Sequence, residues 1–250
     1  MSKKWVGVCM TPALIDQFDI HEAIVVVIDV LRATTTMCTA FDHGVKAMIP
    51  VLTVEEGREM QKKGYLVAGE RNGEKIEEFD FGNSPFSFMS PRIKDREIVI
   101  TTTNGTKALR AAVERNAKEV VIGSFANASK LAEYLIQRNE NVVFLCAGWK
   151  DRPNLEDTAF AGAMVRKLCM PLPRGGYFRI LEDTALISEA LYRMANWRKR
   201  YYLRFSSHFA RLFYKLQIQK DVKYAMRRDT HAVIPRLIGD HLVELNSPHV

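Results

Sequence analysis

The chain has no run approaching the roughly 18 consecutive apolar residues that a membrane span requires. Its first residues, MSKKWVGVCMTP, hold two lysines but neither a continuous apolar stretch nor a small-residue cleavage site, so no secretory signal is expected there. Cysteine is scarce. Cys9, Cys38, Cys146 and Cys169 form no CxxC pair and no Cys/His zinc spacing, which argues against a disulfide or zinc scaffold. A reduced, cytoplasmic protein is the plain expectation, with Cys9, Cys38 and Cys169 as core residues. His21, His43, His208, His231, His241 and His249 show no metal spacing and read mostly as surface or structural. Walker A, GxGxxG, GxSxG and DxDx[TV] signatures are all missing. The stretch CAGWKDR does place Cys146 and Arg152 at cysteine-phosphatase spacing. However, Asp151 would put negative charge in the phosphate cradle, and Pro153 removes a backbone donor beyond it.

What is present begins with charge. Of the net +7, residues 1–170 contribute nothing, with 22 basic and 22 acidic side chains; residues 171–250 hold 14 and 7. A basic C-terminal third raises nucleic acid as a partner. Yet NWRKRYYLRFSSHFARLFYKL alternates basic and apolar residues at helical spacing. That pattern suits an amphipathic helix with a solvated face, or a wall attracting small anions, better than a nucleic-acid surface.

Four segments repeat one theme of apolar strand, polar turn and helix. The strands fall at about 24–30, 97–101, 119–122 and 142–146; the helices follow to Gly44 and from Thr106, Ser129 and Leu155. The strands are continuous β-branched runs, as expected where both faces are covered. An α/β fold follows, a three-layer sandwich with a mostly parallel or mixed central sheet. Residues 64–91, rich in Gly, Asn and Pro, read as a long functional loop. Residues 1–170 are expected to form the catalytic core. Residues 171–250, after the PLPRGG break, are expected to be mainly helical and packed on that core.

Ligands of open parallel sheets bind beyond the carboxyl ends of the strands. Polar clusters collect there: Asp29 to Thr36, Thr101 to Thr106, Ser124 to Asn127, and Cys146 to Gly148 with Glu156-Asp157. The junction TTTNGT combines hydroxyls, an amide and a flexible glycine at a helix start, where unpaired N–H groups favour anions. Helix capping needs one such residue; six in a row exceed it. Arg32 could add a bidentate fork for phosphate, carboxylate or sulfonate. Asp29, Glu70, Glu156 and Asp157 beside an anion site fit Mg²⁺, which takes one or two carboxylates, waters and substrate phosphate.

The motifs VVVIDVLRATTT, GERNGEKI, FDFGNSP, TTTNGTKAL, CAGW and EDTAFAGA occur in this order and at these separations. Together they closely resemble the 2-phosphosulfolactate phosphatase family, Mg²⁺-dependent hydrolases of coenzyme M biosynthesis. The resemblance is strong over residues 24–163 and continues weakly through 206–235, where Ser207, Asp221-Val222 and Val233–Pro235 fit. Glu78 stands where the pattern has a small residue. The resemblance implies hydrolysis of a phosphate monoester on a 2-hydroxy acid. It carries over Asp29, Arg32, Thr34, Glu70, Arg71, Asn72, Asn83, Ser84, Thr103, Asn104, Gly105, Thr106, Cys146, Glu156 and Asp157. On chemical grounds Asp29, Glu70 and Asp157 are expected to hold Mg²⁺ or its waters, with Glu156 as an alternate ligand. Thr103–Thr106 would cradle phosphate, while Arg32 and Arg71 would neutralise phosphoryl or sulfonate oxygens. Thr34, Asn72, Asn83, Ser84 and Cys146 complete the expected substrate-binding set, and Asp29, Arg32, Glu70 and Asp157 the catalytic one. A metal-bound water is the favoured nucleophile, with Asp29 and then Cys146 as alternatives. The competing class is a non-catalytic binder of a phosphorylated or sulfonated metabolite. A homodimer is expected because closed pairs are the commonest oligomers.

Overall fold

The computed structural model describes residues 3–170, 176–197 and 205–245. The basic triplet Arg198-Lys199-Arg200 and residues 171–175 of the PLPRGG break lie outside the described residues. In chain order the main elements are β1 (Trp5–Cys9), β2 (Ala23–Ile28), α1 (Ala33–Asp42), β3 (Ala47–Pro50), α2 (Val54–Lys62), β4 (Leu66–Arg71) and β5 (Glu74–Lys75). There follow β6 (Glu97–Thr101), α3 (Gly105–Glu114), β7 (Glu119–Gly123), α4 (Ala128–Arg138), β8 (Asn141–Cys146), α5 (Leu155–Cys169), β9 (Arg179–Ile180) and α6 (Asp183–Trp197). A short helix at Ser207–Ala210, a π-helical turn at Arg211–Lys215 and a helix at Gln219–Ala225 lead to β10 (Pro235–Ile238) and β11 (His241–Glu244). All four strand–turn–helix units stand where the apolar runs placed them.

Among the described residues eleven strands form one mixed, mostly parallel sheet in the order β5-β4-β6-β3-β11-β10-β7-β2-β8-β1-β9. Every residue of β2 is buried. Ile24, Val26 and Ile28 enter one core cluster with Phe144 and Phe160, and Val25 and Val27 enter another with Met37 and Leu145. Successive side chains of a strand leave on opposite faces, so covering both faces explains an unbroken apolar run. On the first face α5 and α6 cross closely: a Cβ on Gly162 would stand 1.9 Å from the Ser188 carbonyl oxygen.

Two features differ from expectation. The 64–91 region is not all loop: Leu66–Arg71 pairs in parallel with β6, then turns at Asn72-Gly73 into β5. Both turn residues have positive φ (55° and 83°), as a two-residue Asn-Gly hairpin requires. The C-terminal third, in turn, is not helical throughout. Its β10–β11 hairpin enters the middle of the sheet, antiparallel to both β7 and β3.

That hairpin has a topological consequence. It separates a parallel group β4-β6-β3 from a parallel group β7-β2-β8-β1-β9, and the two groups run in opposite senses along the ladder. The ends of β6 and β2 meet all the same, because a Cβ on Gly105 would lie 2.6 Å from Ala33 Cβ and 3.0 Å from Asp29 Oδ2. Twist of roughly 20–25° per strand accumulates to about 100° or more over the five steps from β6 to β2. The site therefore lies between two twisted half-sheets, not along one parallel edge.

Candidate active site

A polar cleft opens at this convergence. The turn after β2 supplies Asp29, Leu31 and Arg32, and the β4–β5 hairpin supplies Glu70, Asn72 and Gly73. Asn83, Thr103, Asn104, Trp149 and Lys150 come from the loops that follow, and His208, Arg211 and Leu212 from the C-terminal segment.

Asp29 is set by a reciprocal pair. Its N–H donates to Thr34 Oγ1 at 3.0 Å, and the Thr34 N–H donates to the Asp29 carbonyl at 2.9 Å. Thr34 thus fixes the turn and is not on the cleft wall. The Asp29 carboxyl is buried, and its pKa is raised from 3.8 to about 6. Loss of solvation is the largest cause; His208 opposes it, and Glu70 and Glu156 reinforce it. No ion pair to Asp29 occurs among the described residues.

Glu70 ends β4 and folds back under its own hairpin. The Gly73 N–H donates to Oε2 at 2.5 Å and the Thr103 N–H to Oε1 at 2.6 Å. One carboxylate therefore ties the β4–β5 turn to the loop after β6. Each oxygen keeps a free lone pair.

Arg32 follows a cis Leu31–Arg32 peptide. Its guanidinium donates to Asp221 Oδ2 at 2.5 Å and to the Gly73 carbonyl at 2.8 Å. Asp221 also accepts from Ser84 Oγ at 3.1 Å, so Ser84 acts on the cleft through this ion pair. The neighbouring Asn83 has a buried side-chain oxygen with no partner among the described residues.

The threonine junction divides its work. Thr103 and Asn104 reach the cleft. Thr106 does not: its hydroxyl donates to the Thr102 carbonyl at 2.7 Å, and its N–H donates to Thr102 Oγ1 at 3.1 Å, closing the first turn of α3. Gly105 serves close approach, since any side chain there would press on Asp29.

Besides Thr34, Ser84, Gly105 and Thr106, four more expected site residues lie off the cleft wall. Arg71 points along the sheet edge, donating to Leu52 O, Thr101 Oγ1 and its neighbour's carbonyl. Cys146 is fully buried, and its thiol is pushed well above its ordinary range by burial, then by Asp157. That favours the inert thiol over a nucleophile. Asp157 is enclosed by donors: Val30 N at 2.8 Å, Asn154 Nδ2 at 2.9 Å and Gly148 N at 3.1 Å. It pins the loops after β2 and β8 together, and Gly148 (φ +66°) permits the tight turn it grips. Burial, then Asp29 and Glu156, push the Asp157 carboxyl well above its usual range. Glu156 has no exposed surface; Oε1 lies 2.6 Å from His208 Nδ1, and Oε2 accepts from Ser206 Oγ at 2.9 Å. Asp157→Ala would strand three donors at about 1–3 kcal/mol each. Urea unfolding of this variant is expected to show a loss of at least about 3 kcal/mol.

The structure also brings in residues that sequence reasoning missed. His208 is buried on the wall and stacks on Trp149 at 5.5 Å between ring centroids. Lys150 Nζ sits 4.9 Å from the Trp149 ring centre. Arg211 donates to the Asn72 carbonyl at 2.8 Å, so part of the C-terminal basic excess faces the cleft. The weak match over 206–235, which includes SSHFAR, was the available signal. Glu78 forms an exposed pair with Arg58 at 2.7 Å.

Among the described residues no three His, Cys, Asp or Glu side chains are arranged to hold a metal ion by themselves. Two buried carboxylates, Asp29 and Glu70, do face the cleft beside the unpartnered Asn83 oxygen. No helix among the described residues is long and apolar enough to cross a membrane.

Comparison with known proteins agrees with the motif order. A family model described as 2-phosphosulpholactate phosphatase matches residues 9–240. A Thermotoga petrophila protein named a probable 2-phosphosulfolactate phosphatase is 37% identical over 214 residues, covering 86% of this chain and 88% of that one. Proteins of the same name from Caldanaerobacter subterraneus subsp. tengcongensis and Clostridium acetobutylicum are 35% and 31% identical, covering 89% and 87% of this chain and 91% of each of theirs. A match of this length takes in the hairpin that carries Glu70, the turn that carries Asp29 and the segment that carries His208, and the chain belongs to the 2-phosphosulfolactate phosphatase family.

Proposed function

We propose that this protein hydrolyses 2-phospho-3-sulfolactate to 3-sulfolactate and phosphate with the aid of Mg²⁺. The observation that carries this reading is the pairing of opposite charges on one cleft wall. Asp29 and Glu70 stand beside Arg32, Lys150 and Arg211. A site built only to bind an anion gains nothing from two buried carboxylates. A site for a cation and an anionic substrate together uses both sets.

Asp29 and Glu70 would hold Mg²⁺, with the Asn83 carbonyl oxygen as a further candidate donor. This fits a hard cation that keeps several waters and shares substrate phosphate. Bound there, the ion would offset negative charge on the phosphoryl group and on Asp29 itself. Glu156 and Asp157 have other work: each carboxylate is spent on protein donors. The substrate bears phosphate, carboxylate and sulfonate, and Arg32, Lys150 and Arg211 give three cationic groups to receive them. Trp149 and Leu212 supply the apolar surface that orients its short carbon chain. The chemistry is in-line displacement at phosphorus, in which positioning and charge stabilisation do most of the work.

The test is phosphate release from a panel of 2-phospho-hydroxy acids, phosphosulfolactate and phospholactate among them, with Mg²⁺ and with EDTA. Mg²⁺-dependent release is expected, fastest with the sulfonated member. Ligand binding by the folded protein without release from any member would favour the binding-module reading instead.

A further inference from the structure

Among the described residues His208 is the imidazole that lines the cleft. Nδ1 lies 2.6 Å from Glu156 Oε1. Glu156 is completely buried, and its second oxygen is held by Ser206 Oγ. Trp149 stacks on one ring face with an interplanar angle of 23°. Nδ1 is committed to the carboxylate, so Nε2 is the nitrogen available to a ligand in the cleft. A buried carboxylate is costly to keep. Here its partner is this ring, and such a carboxylate fixes the orientation of the imidazole.

We propose that His208 is the general acid that protonates the departing oxygen of the substrate, with Glu156 as its positioning residue. The inference rests on the phosphatase reading above and adds to it the group that handles the leaving alcohol. The alkoxide of a 2-hydroxy acid is a poor leaving group without a proton. In the step, the oxygen of the attacking water forms a bond to phosphorus. The bond between phosphorus and the bridging oxygen breaks, and its electron pair stays on that oxygen. The Nε2 proton of His208 passes to the same oxygen, giving the free hydroxyl of the product. The proton that the water loses returns through solvent to the imidazole, and phosphate departs. Charge and atoms balance, and no other reactant is needed.

Positioned acid catalysis contributes typically about 10²–10⁴-fold. It matters for an alkyl leaving group and little for one that departs readily as an anion. The test compares wild type, His208→Gln and Glu156→Gln on phospholactate and on 4-nitrophenyl phosphate, with Mg²⁺ present and folding checked by circular dichroism. Turnover of phospholactate by His208→Gln is expected to fall at least about 100-fold, with less than a tenth of that loss on the aryl ester. Glu156→Gln should shift the alkyl-to-aryl ratio the same way by a smaller factor. On phospholactate itself, the bridging-¹⁸O isotope effect on kcat/KM should rise in His208→Gln. This second measurement does not depend on aryl turnover. Equal losses on both esters in folded variants, or an unchanged isotope effect, would overturn the assignment. Failure of wild type to release phosphate from any phosphorylated hydroxy acid would instead remove the phosphatase reading beneath it.

Discussion

Asp29→Asn is expected to abolish phosphate release and, in the same protein, to raise the thermal midpoint at neutral pH. The first effect follows from position. Asp29 faces the cleft as an unpaired buried carboxylate. Losing several kcal/mol of charge stabilisation at phosphorus corresponds to at least about 10³-fold in kcat. The second effect follows from what holds Asp29 in place. Its carboxyl is raised from 3.8 to about 6 by loss of solvation and then by Glu70 and Glu156, against the opposing pull of His208. A folded carboxyl with a raised pKa binds its proton more tightly than the unfolded chain does. Its stabilising contribution is therefore complete below about pH 4 and is lost as pH rises through about 6. At pH 7.5 the folded, metal-free protein carries a penalty of about 3 kcal/mol that asparagine would not.

Asparagine keeps the shape of the side chain and can still accept from the Ala33 N–H. The gain in stability over wild type should be near zero at pH 4, grow between pH 4 and 6, and level off above 7. Added Mg²⁺ should raise the midpoint of wild type and leave Asp29→Asn unmoved, since a ligand stabilises only the form that binds it. Differential scanning calorimetry across this pH range, with and without Mg²⁺, reads all three effects. A variant that is inactive but no more stable at pH 7.5 would mean that Asp29 carries no unpaired charge. A variant with near-normal turnover would remove Asp29 from the reaction altogether.

The legible parts of this fold were those in which one physical pattern dominates. Runs such as Ala23–Ile28 are apolar at every position because both faces of the sheet are covered, and their handover to helices left the clearest trace. The hairpins were harder, although each carried a turn signal. Asn72-Gly73 and Gly239-Asp240 are two-residue hairpin turns flanked by strand-forming residues. The first was submerged in a glycine-rich, weakly periodic stretch. The second followed a long helical pattern in a short Pro-flanked segment that gains its partners β7 and β3 from far upstream.

In the site, the chemical types were visible, but their division of labour was not. Glu156 and Asp157 occupy adjacent positions at a helix start, which reads equally as metal ligation or as a complement to the helix dipole. Their real partners, His208 with Ser206 and the N–H groups of Val30 and Gly148, lie on other segments. The role of Arg71 turned on which way one side chain leaves the end of β4. The alternating basic and apolar residues of the C-terminal third suit a solvated helix face as well as a wall for small anions, and only the fold shows that Arg211 lines the cleft.

Arg32 carries the last large effect, and the ion pair with Asp221 makes it separable into structure and function. Both side chains are nearly buried, 6% and 9% exposed, at 2.5 Å. Removing one member of such a pair leaves the other charged and desolvated, at roughly 3–5 kcal/mol. Arg32→Met should therefore lose about that much in urea unfolding, with Ser84 Oγ alone left to Asp221. Replacing both, as Arg32→Met with Asp221→Leu, exchanges the pair for apolar contact and should recover most of the stability, because buried pairs rarely outperform well-packed apolar residues. Turnover should not return with it, since the double variant still lacks the guanidinium that lines the cleft. A double variant that regained both stability and turnover would make Arg32 a strut for the Gly73 hairpin, which it also holds through the Gly73 carbonyl, and nothing more. Stability restored without activity would assign the same side chain two roles, one toward Asp221 and one toward the phosphate.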